Sequence, residues 1–172
     1  MKIAIAGYSG SGKSTLAEKL GRQYGVPVLH LDTVQFLPGW ENRPREERIA
    51  LAQAFLDENA AWVIDGNYFK LSYEQRMAEA DKIVLLLFPR LSCLLRVITR
   101  YRRYRGTSRP DVGPGCPEKL DGAFVRWILF DGRTKEIRNR YRALQGQYPE
   151  KVIVCRNQKE LDRMEAHLCS GK

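Results

Sequence analysis

The sequence predicts a three-layer α/β/α fold on a five-stranded parallel sheet, and three observations carry that prediction. Short β-branched and apolar runs alternate with stretches of helical spacing along the chain, the order that right-handed crossovers turn into a parallel sheet with helices on both faces. Residues 82–88 are apolar almost without interruption, as strands covered on both faces are. Between an apolar run and a helical one lies Gly7-Tyr8-Ser9-Gly10-Ser11-Gly12-Lys13-Ser14, a glycine turn that joins a strand to a helix. With 172 residues, 44% hydrophobic and 28% charged, the chain suits one compact unit over 1–172, and this composition excludes a disordered polymer.

Taken in order, residues 2–6 form the first strand, and Leu16, Ala17 and Leu20 then recur at helical spacing over 14–20. Residues 26–31 are a second strand, followed by a loop over 32–43 punctuated by Pro38 and Gly39. Pro44 opens a helix whose inward face carries Ile49, Ala52, Phe55 and Leu56. A third strand, 61–65, stops at Gly66, a short helix covers 72–78, and the fourth strand, 82–88, ends at Pro89. Leu91, Leu94, Leu95 and Ile98 make one stripe of a helix that runs on into Arg100, Arg102, Arg103 and Arg105. Pro110, Gly113, Pro114, Gly115 and Pro117 break any element between Gly106 and Gly122, which predicts a short helical and loop lid at about 100–122. Helical spacing returns over 124–144, a fifth strand covers 151–155, and a terminal helix covers 159–168.

The formal charge is +9, from 29 Lys plus Arg against 20 Asp plus Glu. It is focused: residues 96–109 hold six arginines and no acidic residue, residues 133–142 hold five basic residues and one glutamate, and the remainder is close to neutral. A bound anion is therefore expected at the lid and the helix after it. No apolar run approaches the roughly 18 residues of a membrane span, and the N-terminus has no signal-peptide pattern, so a cytoplasmic chain with no membrane partner is expected. Cys93, Cys116, Cys155 and Cys169 include no Cys-x-x-Cys pair and read as free thiols in a reducing compartment rather than as a zinc site.

Residues 7–14 match G-x-x-x-x-G-K-[ST] in full, with the strand before and the helix after that the motif requires. The glycines, Gly7, Gly10 and Gly12, with Ser9 and Ser11, let backbone N–H groups wrap a triphosphate, and the helix start adds the positive end of its dipole. Lys13 is expected on the β- and γ-phosphates of ATP and the Ser14 hydroxyl on Mg²⁺, with Thr15 a helix or base-side contact. Ligands of open parallel sheets sit at the carboxyl ends of the strands, where Asp32 and Asp65 close the second and third. Asp65, after Trp62-Val63-Ile64, has the form of a Walker B carboxylate for Mg²⁺, and Asp32 of an acceptor-hydroxyl base or positioner. Either is equally open to a turn or capping role, and His30 reads as a packed histidine.

These residues resemble the adenylate kinase-like P-loop kinases, a P-loop NTPase group that includes nucleoside monophosphate kinases, shikimate kinase and gluconate kinase. The resemblance is closer to the DNA topology modulation, or FlaR-like, proteins. It is carried by His30-Leu31-Asp32 with Pro38-Gly39-Trp40, Ile64-Asp65-Gly66-Asn67-Tyr68, Arg76 with Ala80-Asp81, Phe88-Pro89-Arg90, and Arg100-Tyr101 through Arg109-Pro110-Asp111 to Gly115-Cys116-Pro117-Glu118. Where adenylate kinase has Asp-Gly-Phe-Pro-Arg this chain has Asp65-Gly66-Asn67-Tyr68, and so lacks the arginine that holds the acceptor nucleotide's phosphate. The resemblance implies an adenine seat after the fifth strand, at Arg156 and Asn157.

Arginines that close over a transferring phosphoryl group stabilise its spreading charge, and Arg100, Arg103, Arg109 and Arg133 are the candidates. The same strip, with Tyr101 and Tyr104 interleaved, is open to a nucleic-acid surface or a solvated helix face. Phe36, Trp40, Tyr68 and Phe69 fall in the loops that surround a phosphoryl acceptor, and Arg76 either fixes an anionic acceptor group or pairs with Glu74 or Glu79. The expected function is transfer of the γ-phosphoryl of Mg-ATP to a small-molecule acceptor, a nucleoside, nucleotide or other hydroxyl compound. The rival is an ATP-binding, DNA-associated regulator that uses the arginine strip.

Overall fold

A computed structural model describes residues 1–170, except the side chains of Cys169 and Ser170, so the free-thiol expectation for Cys169 lies outside it. The elements follow as β1 (Lys2–Gly7), α1 (Lys13–Tyr24), β2 (Val28–His30), α2 (Leu31–Gln35), β3 (Phe36–Leu37), β4 (Glu41–Asn42), α3 (Arg45–Glu58), β5 (Trp62–Asp65), α4 (Tyr73–Glu79), β6 (Lys82–Leu86), α5 (Arg90–Tyr104), α6 (Gly122–Leu129), α7 (Lys135–Gln147), β7 (Val152–Cys155) and α8 (Gln158–Ser170). Five strands form one parallel sheet in the order β2-β5-β1-β6-β7, and β3 and β4 make a small antiparallel hairpin beside it.

Strand alternation builds the two cores. Ile3 and Ile5 of β1 point into one layer with Leu16 and Leu20 of α1, Cys93 and Val97 of α5, and Leu161 and Met164 of α8. Ala4 and Ala6 point to the other, with Ala52 and Leu56 of α3, Met77 of α4, and Tyr141 and Leu144 of α7. Each buried Leu, Ile or Val on these faces contributes about 1.5–3 kcal/mol relative to exposure. The strand order puts β1 at the centre, so the turn after it opens at the middle of the carboxyl edge, flanked by the ends of β5 and β6.

Four local expectations are corrected. Residues 32–43 are not one loop: the buried Leu31 and Val34 draw 31–35 into a helical turn, and the β3–β4 hairpin follows. Ile49 of α3 faces solvent, leaving Ala52 and Leu56 as its buried positions. On α5, Leu91 and Leu95 are 70% and 64% exposed, because Cys93 and Val97 are the residues packed against the glycine turn. The stretch 124–144 is two helices, broken at Phe130 and a single 3₁₀ turn, Asp131–Arg133, where Gly132 lies against the backbone of Trp127. Among the described residues no helix is long and apolar enough to cross a membrane.

Candidate functional site

The turn between β1 and α1 is built by close approach. A Cβ on Gly7, at φ +140°, would stand 2.3 Å from the Leu86 carbonyl oxygen, and one on Gly10 2.7 Å from that of Cys93. Asn67, after β5, grips Gly7 from both sides: its Oδ1 accepts from the Gly7 N–H at 2.9 Å and its Nδ2 donates to the Gly7 carbonyl at 2.5 Å. α1 begins with Gly12 as its cap, no side chain bonded to its first N–H groups and no acidic residue in its first turn. Its positive end is thus open toward the turn. Ser9, Gly10, Gly12, Lys13, Ser14 and Thr15 line the cleft, while Gly7 and Ser11 shape the turn from behind, Ser11 with its side chain buried. Lys13 Nζ donates to the Tyr8 carbonyl at 3.1 Å; burial lowers its pKa, against the raising effect of Asp65 and Asp32.

Two carboxylates face the turn. Ser14 Oγ donates to Asp65 Oδ2 at 2.9 Å, so the α1 hydroxyl and the β5 carboxylate meet side by side, the donor set that holds a hard divalent cation. The other oxygen, Asp65 Oδ1, is 2.6 Å from His30 Nδ1, and His30 Nε2 is 2.9 Å from Glu18 Oε1. Burial works against a charged His30, but the bond and charge of Asp65 and the bond to Glu18 outweigh it, and the pKa rises to about 9. The histidine expected to be merely packed is thus bound to the Asp65 carboxylate. Tyr68 Oη donates to Asp32 Oδ1 at 2.6 Å; burial raises the Asp32 pKa, and the Tyr68 bond partly offsets it.

Lys13, Ser14, Asp32, Asp65 and Tyr68 open into one cleft of about 1950 Å³, larger than the roughly 300–1,000 Å³ of a single-ligand pocket and so able to seat two ligands together. Trp40, Arg100, Arg103 and Arg109 line it as well. The segment 106–121 carries no helix; it folds over the cleft and docks on the β3–β4 hairpin. Gly39 N donates to the Gly115 carbonyl at 2.7 Å, Trp40 Nε1 to that of Pro117 at 2.9 Å, and Cys116 Sγ to that of Leu37 at 3.2 Å. Glu118, buried beneath this segment, pairs with both Arg100 and Arg109, and Arg109 also pairs with Asp111. Arg103 is exposed at the rim, its guanidinium over the Tyr104 ring.

Four sequence candidates stand elsewhere. Arg133 is buried, donates to the Ile128 and Phe88 carbonyls and to Cys93 Sγ, and lies 3.8 Å over the Tyr8 ring, so its donors serve the scaffold under the turn. Arg76 is 1% exposed and donates to the Leu71 and Tyr68 carbonyls, neither reaching the cleft nor pairing with Glu74 or Glu79; burial pushes its pKa down to about 10. Asn157 caps α8 through the Glu160 N–H, and Arg156 lines a separate hollow with Met164 and Leu168. The residues beside the turn on that flank are instead Arg96, which donates to the Ser11 carbonyl at 2.8 Å, and Trp127, whose Nε1 donates to Ser9 Oγ at 3.1 Å. Arg133→Met is expected to lower stability by about 3 kcal/mol in a urea titration, because the Phe88 and Ile128 carbonyls lose their buried donor. A loss well under about 1 kcal/mol would mean that the guanidinium is free for a ligand.

No protein-family model and no curated protein matches the chain. Solved structures do. Shikimate kinase from Bacteroides thetaiotaomicron is similar over 98% of this chain and 95% of its own, with a TM-score of 0.52 and 16% identity. The chain has a shikimate kinase-like P-loop fold. An uncharacterised protein from Eubacterium ventriosum is also similar, with a TM-score of 0.50 and 13% identity over 100% and 99% of the two chains. The protein TT1252 from Thermus thermophilus is 20% identical over 100% and 98%, with a TM-score of 0.48. At 16% identity the likeness to shikimate kinase is one of fold.

Proposed function

We propose that the whole chain, 1–172, is one ATP-dependent phosphotransferase unit of the FlaR-like kind, working in the cytoplasm on a small acceptor that bears a hydroxyl or phosphate. The observation that carries this is the Ser14–Asp65 hydrogen bond beside Lys13, set in one cleft with Asp32. The residues fit a Mg²⁺-triphosphate: a glycine cradle that a Cβ would fill, an uncapped helix start, an ammonium, and a hydroxyl and carboxylate side by side. Ser14 and Asp65 would hold the metal, which when bound neutralises phosphate charge.

The protein's own part follows from its geometry. Backbone N–H groups of the cradle and Lys13 hold the donor phosphates, and the covering segment 106–121 excludes water from the cleft. Asp32 takes the proton of the acceptor hydroxyl as its oxygen bonds to the γ-phosphorus and the bridging oxygen leaves with ADP. A carboxylate whose pKa is raised by burial is a better base than one in water, and Tyr68 holds it in one orientation. Arg109, Arg100 and Arg103 border the same space and are placed to meet charge spreading over the transferred group. Trp40 and Tyr68, with Phe36, form the acceptor wall, in which the Phe36 and Trp40 rings meet edge to face at 5.2 Å.

The test is ADP formation from ATP across nucleosides, nucleotides, sugars and hydroxy acids, with Lys13→Ala as control. One acceptor class is expected to raise turnover well above the water background. No acceptor-dependent turnover, together with DNA binding whose log affinity falls steeply with log salt, would overturn the proposal in favour of the regulator.

A further inference from the structure

Ser14, Glu18, His30 and Asp65 form a linked set of contacts, of which the Glu18–His30–Asp65 part belongs to neither the phosphate loop nor the acceptor wall. Ser14 and Glu18 are one turn apart on α1 and share a face. His30 and Asp65 are register partners at the ends of the parallel strands β2 and β5. The helix pair meets the strand pair through three contacts in series: Ser14 Oγ to Asp65 Oδ2 at 2.9 Å, Asp65 Oδ1 to His30 Nδ1 at 2.6 Å, and His30 Nε2 to Glu18 Oε1 at 2.9 Å. The side chains of His30 and Asp65 are 9% and 6% exposed, whereas that of Glu18 is 47% exposed.

We propose that His30 is a positioning residue for Asp65: held by Glu18, it donates to one oxygen of the carboxylate and keeps the other turned toward Ser14, where the metal of the donor triphosphate would sit. This inference rests on the phosphotransferase reading above. Both ring nitrogens are engaged by side-chain oxygens, Nδ1 by Asp65 and Nε2 by Glu18, and the ring does not line the cleft. It is therefore placed to orient Asp65 rather than to meet a ligand.

Glu18 completes the set from the other side of the ring: its Oε1 stands 2.9 Å from His30 Nε2, so the imidazole is held at both nitrogens while it bonds to Asp65. Outer partners that orient metal-holding side chains are worth roughly 10- to 100-fold in metal affinity or activity.

The test is calorimetric titration of ATP into wild type, His30→Leu, His30→Asn and His30→Gln, in EDTA and in Mg²⁺. Wild type is expected to bind ATP more tightly with Mg²⁺, and His30→Leu to lose roughly 10- to 100-fold of that gain while its affinity in EDTA is unchanged. His30→Asn places an amide nitrogen where Nδ1 stands and is expected to restore the gain; His30→Gln places one where Nε2 stands and is not. A full gain in His30→Leu overturns the proposal, and so do equal gains in the Asn and Gln variants, a comparison that decides the matter even if His30→Leu does not fold. A wild-type chain whose ATP affinity ignores Mg²⁺ overturns the phosphotransferase reading and the role of His30 with it, and is seen before any substitution is made.

Discussion

Lys13→Ala is expected to lower acceptor-dependent ATP turnover by about 10³-fold while leaving the fold intact, the scale on which one preorganised donor to a developing charge acts. The argument starts from where the ammonium is held. Lys13 Nζ sits inside the turn on the Tyr8 carbonyl, close enough to Asp32 and Asp65 for both carboxylates to offset part of its burial cost. In phosphoryl transfer, charge moves onto the equatorial and bridging oxygens that such a lysine meets, so its loss is felt more in kcat than in KM. The glycine cradle and the open helix start remain in the variant and continue to hold the phosphates. Turnover within about tenfold of wild type would show that the positive charge acts only in binding, or that phosphoryl transfer happens elsewhere.

Gly7→Ala is expected to give the largest loss of stability of any single methyl added to the turn, about 4 kcal/mol, from backbone strain of about 1–3 kcal/mol together with overpacking of about 1–3 kcal/mol. The new Cβ would stand 2.3 Å from the Leu86 carbonyl oxygen and 2.8 Å from its nitrogen, and this is backbone of the neighbouring strand, which cannot swing aside like a side chain. The same carbonyl accepts the Tyr8 N–H at 3.1 Å, so retreat of β6 would also open the first bond of the turn. Gly25→Ala is the control: its φ is +64° with nothing within 4 Å of the added Cβ, and it is expected to cost only about 1 kcal/mol. Equal midpoints for the two variants in urea would refute this account of the turn.

The parts of the site that the sequence reveals are those whose chemistry is local or set by the sheet. A phosphate cradle is backbone, so its glycines and the Lys-Ser after them mark it within eight residues. Asp65 is found because a parallel strand delivers its last residue to one edge. The arginines are different. Arg76 and Arg133 have the composition and neighbourhood expected of anion holders, and what assigns them to buried carbonyls is the path of the chain around α4 and the Asp131–Arg133 turn. Arg100 and Arg109 do reach the cleft, but their shared partner, Glu118, comes from beyond a loop rich in breakers. On α5 the leucines suggest one helical phase, whereas contact with Gly10 selects the phase of Cys93 and Val97. For His30 one signal was present, the Ser14 and Glu18 spacing on α1, and only the strand register completes it.

The docking of segment 106–121 on the β3–β4 hairpin bears on how ligands exchange. The hairpin carries Phe36 and Trp40 of the acceptor wall, and its Gly39 and Trp40 are bonded to Gly115 and Pro117 of the covering segment. Lifting that segment from the phosphates therefore pulls on the wall beside the acceptor. In the proposed phosphotransferase, donor and acceptor seats would share one door, and the two products would leave by the same movement rather than by independent exits. Each such movement would part the Trp40 indole from the Pro117 carbonyl, a change of hydrogen bonding that its fluorescence would report.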